Sequence, residues 1–406
     1  MIATTWPLLL GMGVLMLGAG LQGTLLGLRA TLEGFPTPVT GAIMSCYYVG
    51  YLLGTFGAPR LVRKVGHIRV FAALAAVASA AILVQGSFVN ALPWAIMRLV
   101  SGVCFAGIYV VAESWLNAGA SRSNRGTLLA MYMLVLYIGL GSAQFLLVLA
   151  NPSTSTPFML VSVLISLAMV PIVVSSHHTP ETHLPLKVRY RDLYKNSPLG
   201  VVAVTASGMI SSTIFSMGPV YARLSGLGTS GVATFMAVSI LAAVLTQYPM
   251  GRLSDRMDRR TVIAIVCTIA TFSAGSIVVF PHMPHAVFLA VAAVFSGFVL
   301  TLYSLAVSHV NDKLEPGQMV AASSALLSLN GTAAAIGPIL VGSLIAAFGP
   351  QSYFETLAIL TGTLTIYDLW RKTRRSAVPA AQKGPFITAQ PQGMTGQIVR
   401  GAELEK

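Results

Sequence analysis

Twelve apolar stretches of about 20 residues run through this chain, and they leave it few possible folds. They cover approximately residues 7–28, 40–62, 68–88, 91–115, 126–150, 156–175, 198–222, 230–251, 260–281, 284–308, 320–346 and 350–371. Runs of this length match the apolar thickness of a bilayer, where no water is available to backbone N–H and C=O groups. Only helices or closed barrels satisfy those groups there, and uninterrupted runs suit helices. Composition agrees, with 55% apolar and only 9% charged residues among 406. A soluble domain carries about 25% charged residues. The first run lacks a basic leader and a small-residue cleavage site, so it reads as a retained helix. The fold class expected is an all-α integral membrane protein of twelve transmembrane helices.

The formal charge of +13 could suggest nucleic acid, but its distribution argues against that partner. Every Lys and Arg except Arg29, Arg98 and Arg223 falls in one set of alternate loops or in the C-terminal tail. Basic residues stay on the cytoplasmic side of a membrane, so both termini are expected in the cytoplasm. The helix count is then even. The partners expected are the lipid bilayer and a small molecule, with no nucleic acid and with the chain as a monomer. Cys46, Cys104 and Cys267 all lie in predicted helices, without metal-ligand spacing, and read as packing residues. His177, His178 and His183 cluster in a polar segment with nothing to fix ligand geometry, so no metal or cofactor is expected.

A short basic motif occurs twice. Pro59-Arg60-Leu61-Val62-Arg63-Lys64-Val65-Gly66-His67-Ile68-Arg69 follows the second run, and Gly251-Arg252-Leu253-Ser254-Asp255-Arg256-Met257-Asp258-Arg259-Arg260 follows the eighth. A second match links Tyr109 through Asn117 to Tyr303 through Asn311, with Tyr, Ala, Ser and Asn recurring in register. Two matches at nearly the same offset imply an internal duplication. The organisation expected is a six-helix half over 1–175, a cytoplasmic linker over 176–197, a second pseudo-symmetric six-helix half over 198–371 and a disordered basic tail over 372–406.

These features resemble the major facilitator superfamily of transporters over nearly the whole helical region. The family's loop motif reads Gly-x-Leu-Ala-Asp-Arg-x-Gly-Arg-Arg. The second copy matches it at Gly251, Leu253, Asp255, Arg256, Arg259 and Arg260, while the first keeps Gly66 but has Arg63 in place of the Asp. Arg98-Leu99-Val100-Ser101-Gly102 is similar to the family's Arg-x-x-x-Gly element in helix four. The Glu113-Ser114-Trp115-Leu116-Asn117 run resembles an uncharacterised bacterial branch. The resemblance implies a secondary transporter of the bacterial inner membrane, working by alternating access with protons as the default coupling ion. It also implies that Arg63, Lys64, Arg69, Glu113, Gly251, Asp255, Arg256, Arg259 and Arg260 latch the two halves at their cytoplasmic ends. Topology control and headgroup contact are the plainer roles for the same cations.

A substrate cavity in such a protein lies between the halves. Gln22, Arg98, Tyr109, Ser211, Ser212 and Tyr303 are the candidates to line it, although Ser and Tyr also pack helix interfaces. Arg98 stands about 10 Å below the outer end of helix four, where an Arg binds an anion, tunes a proton site or snorkels to the headgroups. Arg29 and Glu33 read as a solvated pair beyond helix one. Enzyme classes find no support: phosphate-loop, Gly-x-Ser-x-Gly and His-Glu-x-x-His motifs are absent from the sequence. The Gly-rich element with Pro that marks drug/proton antiporters in helix five is also missing, and Gly331 to Gly342 of helix eleven carries a similar one instead. A uniporter, a multidrug exporter and a non-transporting sensor or assembly partner stay open as alternatives.

Overall fold

The structure, a computed structural model, describes residues 2–119, 125–174, 190–314, 319–374, 384 and 386. His177, His178, His183, Arg122 and most of the linker and tail lie outside the described residues. Fourteen helices are present among them. In chain order they are α1 (Ile2–Leu32), α2 (Thr37–Val65), α3 (His67–Ser87), α4 (Ala91–Gly119), α5 (Arg125–Leu146) and α6 (Thr156–Val174) in the first half. A short α7 (Tyr190–Asn196) follows. The second half holds α8 (Pro198–Leu224), α9 (Thr229–Arg256), α10 (Arg259–Val279), α11 (His285–Val299), α12 (Leu302–Asn311), α13 (Met319–Phe348) and α14 (Ser352–Lys372).

Eleven spans among the described residues are long and apolar enough to cross a membrane. The twelfth expected span corresponds to α14, which has the length but is less apolar because it carries Glu355, Asp368, Arg371 and Lys372. The tenth is a single apolar span broken into α11 and α12. The break lies at Leu300–Thr301, where the Thr301 hydroxyl donates to the Phe298 carbonyl at 2.7 Å and the Thr301 N–H to the same oxygen at 3.1 Å. A hydroxyl competing for a helix carbonyl tightens the turn. Every residue of α12 beyond it is buried.

Helix neighbours repeat across the two halves. α2 packs on α4 as α9 packs on α11; α3 packs on α6 as α10 packs on α14; α1 packs on α5 as α8 packs on α13. The halves meet where α2 lies along α13 and α5 along α9, a pair exchanged by the same pseudo-two-fold, and α1 crosses α8 between them.

Between lipid-solvated helices apolar side chains gain little by leaving lipid, so small residues that admit close backbone approach select the contacts. On α2, Gly50 and Gly54 face the Leu99 and Val103 carbonyls of α4, and Gly102 of α4 faces the Tyr47 carbonyl. A Cβ at Gly50 or Gly102 would fall onto backbone. The halves use the same device: Gly41 abuts Pro338, Gly342 abuts Thr37, and the Thr37 hydroxyl donates to the Gly342 carbonyl at 2.7 Å. Arg29, expected in solvent, is instead buried at the end of α1. Its Nε lies 2.6 Å from Glu33, and it donates to the Pro152 carbonyl at 2.9 Å, tying α1 to the α5–α6 loop.

Gly102→Ala is expected to lower the thermal unfolding midpoint in detergent by the equivalent of about 1–3 kcal/mol, because backbone must move to admit the methyl. Gly57→Ala on the exposed face of α2, where an added Cβ meets nothing, is expected to leave the midpoint unchanged or raise it. Equal effects from the two substitutions would contradict this packing.

Candidate functional site

Two places in the bundle gather polar side chains: a cavity between the halves, and the end that carries the basic loops. The cavity is small and partly open, with about 50 Å³ of room for the centres of water-sized molecules. Its walls come from both halves. α1 gives Ala19, Gly20, Gln22, Gly23 and Thr24, α2 gives Tyr47 and Tyr48, α4 gives Arg98 and Phe105, and α5 gives Leu140 and Gln144. The second half gives Phe215 and Ser216 of α8 and Met236 and Ile240 of α9. Helix rise places Arg98 about 10 Å and Tyr47 about 15 Å from the charge-poor ends of their helices.

Arg98 is only 5% exposed and points into the bundle. Its guanidinium carbon lies 4.5 Å from the centroid of the Tyr47 ring, an attraction of cation to π-face. Its Nε is buried without a hydrogen-bond partner. The other polar groups are linked across helices: Thr24 donates to Gln144 at 2.6 Å, and Gln144 donates back to the Gly20 carbonyl at 3.3 Å. Gln22 approaches Gln85 at 3.4 Å and Ser101 at 3.5 Å. Tyr48 and Ser216 share a hydrogen bond of 3.3 Å that joins the two halves.

Of the sequence-based candidates, the structure brings Gln22 and Arg98 together in this cavity. Tyr109 and Tyr303 lie nearer the basic end, with Tyr51 and Tyr132, around the fully buried Glu113. The Tyr109 hydroxyl donates to the Met16 sulfur at 3.2 Å. Tyr303 joins this neighbourhood from the second half. Ser211 and Ser212 bond back to the Gly208 and Met209 carbonyls of α8, and Ser212 sits against Gly337 of α13. Tyr47, Tyr48, Thr24, Gln144 and Ser216 escaped the sequence reading. Nothing but depth and helix phase marks them, and a hydroxyl or amide in an apolar run has many faces to choose from.

At the basic end the two motif copies have diverged. In the second, Arg259 is 1% exposed and forks onto Asp312, with Nε 2.6 Å and an amino group 3.3 Å from its two oxygens. Ser254 accepts from it at 2.8 Å, and Asp255 stands at 3.7 Å. Asp258 caps α10 by accepting from the Arg260 N–H at 3.1 Å, and the Arg260 guanidinium donates to it at 2.8 Å. Burial pushes the Asp258 carboxyl up, but the Arg260 hydrogen bonds and charge outweigh it and hold the group below its ordinary value. Two tail residues join this loop. The Gly384 N–H donates to Asp312 at 3.1 Å, and the Phe386 N–H donates to Asp255 at 2.9 Å while its ring covers Gly251.

Among the described residues the first copy makes no such ion pair. The position matching Arg259 is His67, buried and stacked on Trp115 at 6.2 Å between ring centroids. Arg63, Lys64 and Arg69 are exposed, as is Arg256, and among the described residues Arg63 and Lys64 make no ion pair with Glu113. No group of three or more His, Cys, Asp or Glu side chains with metal-binding geometry occurs among the described residues.

Comparison with known proteins gives this geometry a family. The model of the Major Facilitator Superfamily matches residues 8–307 and again residues 232–401. The chain is 28% identical over 381 residues to an uncharacterised MFS-type transporter of Enterobacter sp. (strain 638), covering 92% of this chain and 97% of that one. It is 28% identical over 378 residues to the uncharacterised MFS-type transporter YcaD of Escherichia fergusonii, with the same coverage. Among solved structures, the nucleoside transporter NupG superimposes with a TM-score of 0.77 over 90% of this chain and 98% of its own at 13% identity. A bacterial homologue of the human lysosomal transporter Spinster superimposes with a TM-score of 0.69 over 93% and 97% at 13% identity. At such identities the likeness is one of fold.

Asp312→Asn strands the buried Arg259 charge, so it is expected to cost about 3–5 kcal/mol of stability. Asp255→Asn, at a longer and half-exposed contact, is expected to cost under about 1 kcal/mol. Thermal unfolding of the two variants checks the ranking, and the reverse order would contradict it.

Proposed function

The chain belongs to the major facilitator superfamily, and on that premise we propose that it moves a small solute across the bacterial inner membrane by alternating access. One observation carries the reading: the cavity between the related halves is walled by both, so rocking one half against the other exposes it to each side in turn. Gln22 and Arg98 are its solute-facing groups. The basic end is the cytoplasmic one, with both termini there, and the chain acts as a monomer. Protons are the candidate coupling ion. Arg259, Asp312, Asp255 and the tail residues beside them brace the cytoplasmic end of the second half, and Arg256, Arg260, Gly251, Arg63, Lys64, Arg69 and Glu113 are the candidates for a latch between the halves.

Gly23 offers the test, because it lines the cavity and an added Cβ there meets nothing. A Gly23→Cys protein lacking Cys46, Cys104 and Cys267 is reconstituted in proteoliposomes and treated with a membrane-impermeant thiol reagent from either side. Modification from both sides is expected. Modification from one side only, with or without candidate solutes, would favour a transporter-like sensor or assembly partner.

A further inference from the structure

We propose that the cavity around Arg98 takes a small organic monoanion, a carboxylate carried on an apolar or aromatic body; this rests on the transport reading and deepens it. The starting point is how the protein treats its buried arginines. Arg259 is forked onto Asp312, and Arg29 is paired with Glu33. Arg98 is as deeply buried, yet among the described residues its guanidinium makes no ion pair and no hydrogen bond. Its one partner is the Tyr47 ring, which covers a face of the guanidinium and leaves its N–H edge free. A buried cation without a protein counter-charge is costly, and ionisable groups of this kind within membranes are functional sites by default. The planar fork matches the two oxygens of a carboxylate.

The walls narrow the class further. No Asp or Glu lines the cavity, so a cationic solute would meet an unopposed positive charge. A single Arg compensates one negative charge and leaves a second buried without a partner. Phe105, Phe215 and Met236 supply apolar and aromatic surface within reach of it, which suits the body of the solute. Two of these three come from the second half, whereas Arg98 comes from the first. An anion with an apolar body therefore contacts both halves at once and draws them together.

The test measures thermal unfolding of the purified full chain against graded benzoate, hexanoate, chloride, uridine and tetraphenylphosphonium. Benzoate or hexanoate is expected to raise the midpoint of the wild type, with the other three much weaker. Arg98→Gln is expected to weaken the response about tenfold or more, the scale of a charge-assisted hydrogen bond. Gly23→Leu, which fills the cavity and leaves the charge in place, is expected to remove it, and this arm stands even where Arg98→Gln fails to fold. Equal response of wild type and Arg98→Gln, a larger response to uridine or tetraphenylphosphonium, chloride acting as strongly as benzoate, or no response to either carboxylate would each overturn the assignment. Two-sided labelling of Gly23→Cys with any of those results rejects the anion and keeps transport. Carboxylate binding with one-sided labelling rejects transport.

Discussion

Close approach of helix backbones at glycine is the constraint on which the rest of this bundle depends. In lipid the hydrophobic effect does not press helices together, so contact is made where side chains are small enough to let it happen. Gly50, Gly54 and Gly102 lock α2 to α4 within the first half. Gly208 and Gly337 do the same for α8 and α13 in the second, where they meet Asn330 and Met209 backbone. Gly41 and Gly342 set α2 against α13 across the seam. Halves joined along a few helices leave unfilled space between them. The cavity beside α1 and α8 is that space.

The polar groups inside divide by what they cost and how the cost is met. Asn330 donates to the Val204 carbonyl at 3.0 Å and to Ser207 at 3.1 Å, and Thr24 satisfies Gln144, so these amides serve packing. Arg259 and Asp312 satisfy each other at the basic end, with the tail backbone as a third partner. The duplicated position in the first half has given up the charge for a stacked His67 and Trp115 pair. One half is thus fastened at that end by a buried ion pair, the other by aromatic contact. Among the described residues Arg98 makes no hydrogen bond through its guanidinium, and it stands in the space shared by both halves.

The fold was legible because its determinants are written in runs: apolar length gives the spans, and the repeated basic loops and the Tyr109 and Tyr303 segments give the duplication. The broken tenth span was not, since Thr301 looks like any other small residue in an apolar helix until its hydroxyl takes the Phe298 carbonyl. Charge made Arg98 and Glu113 conspicuous in sequence, but not what faces them. Rise along α4 gives depth and leaves helix phase open, so the tyrosines around Glu113 and the Tyr47 ring under Arg98 emerge only once α2, α5 and α12 are set beside α4. The Asp312 partner of Arg259 stands 53 positions away, and the tail residues that join them follow no pattern in the chain.

Alternating exposure of the cavity is tested most directly by measuring distances between spin labels at both ends of the bundle in the same preparation. Labels at Asn90 and Ser230 report on the charge-poor end, and labels at Lys64 and Arg256 on the basic end; all four positions are exposed. Two populations at each end are predicted, with ligand or pH shifting the two pairs in opposite directions, one end opening as the other closes. A single unchanged distance at both ends under every condition would contradict a rocking bundle and leave the cavity as a static binding site.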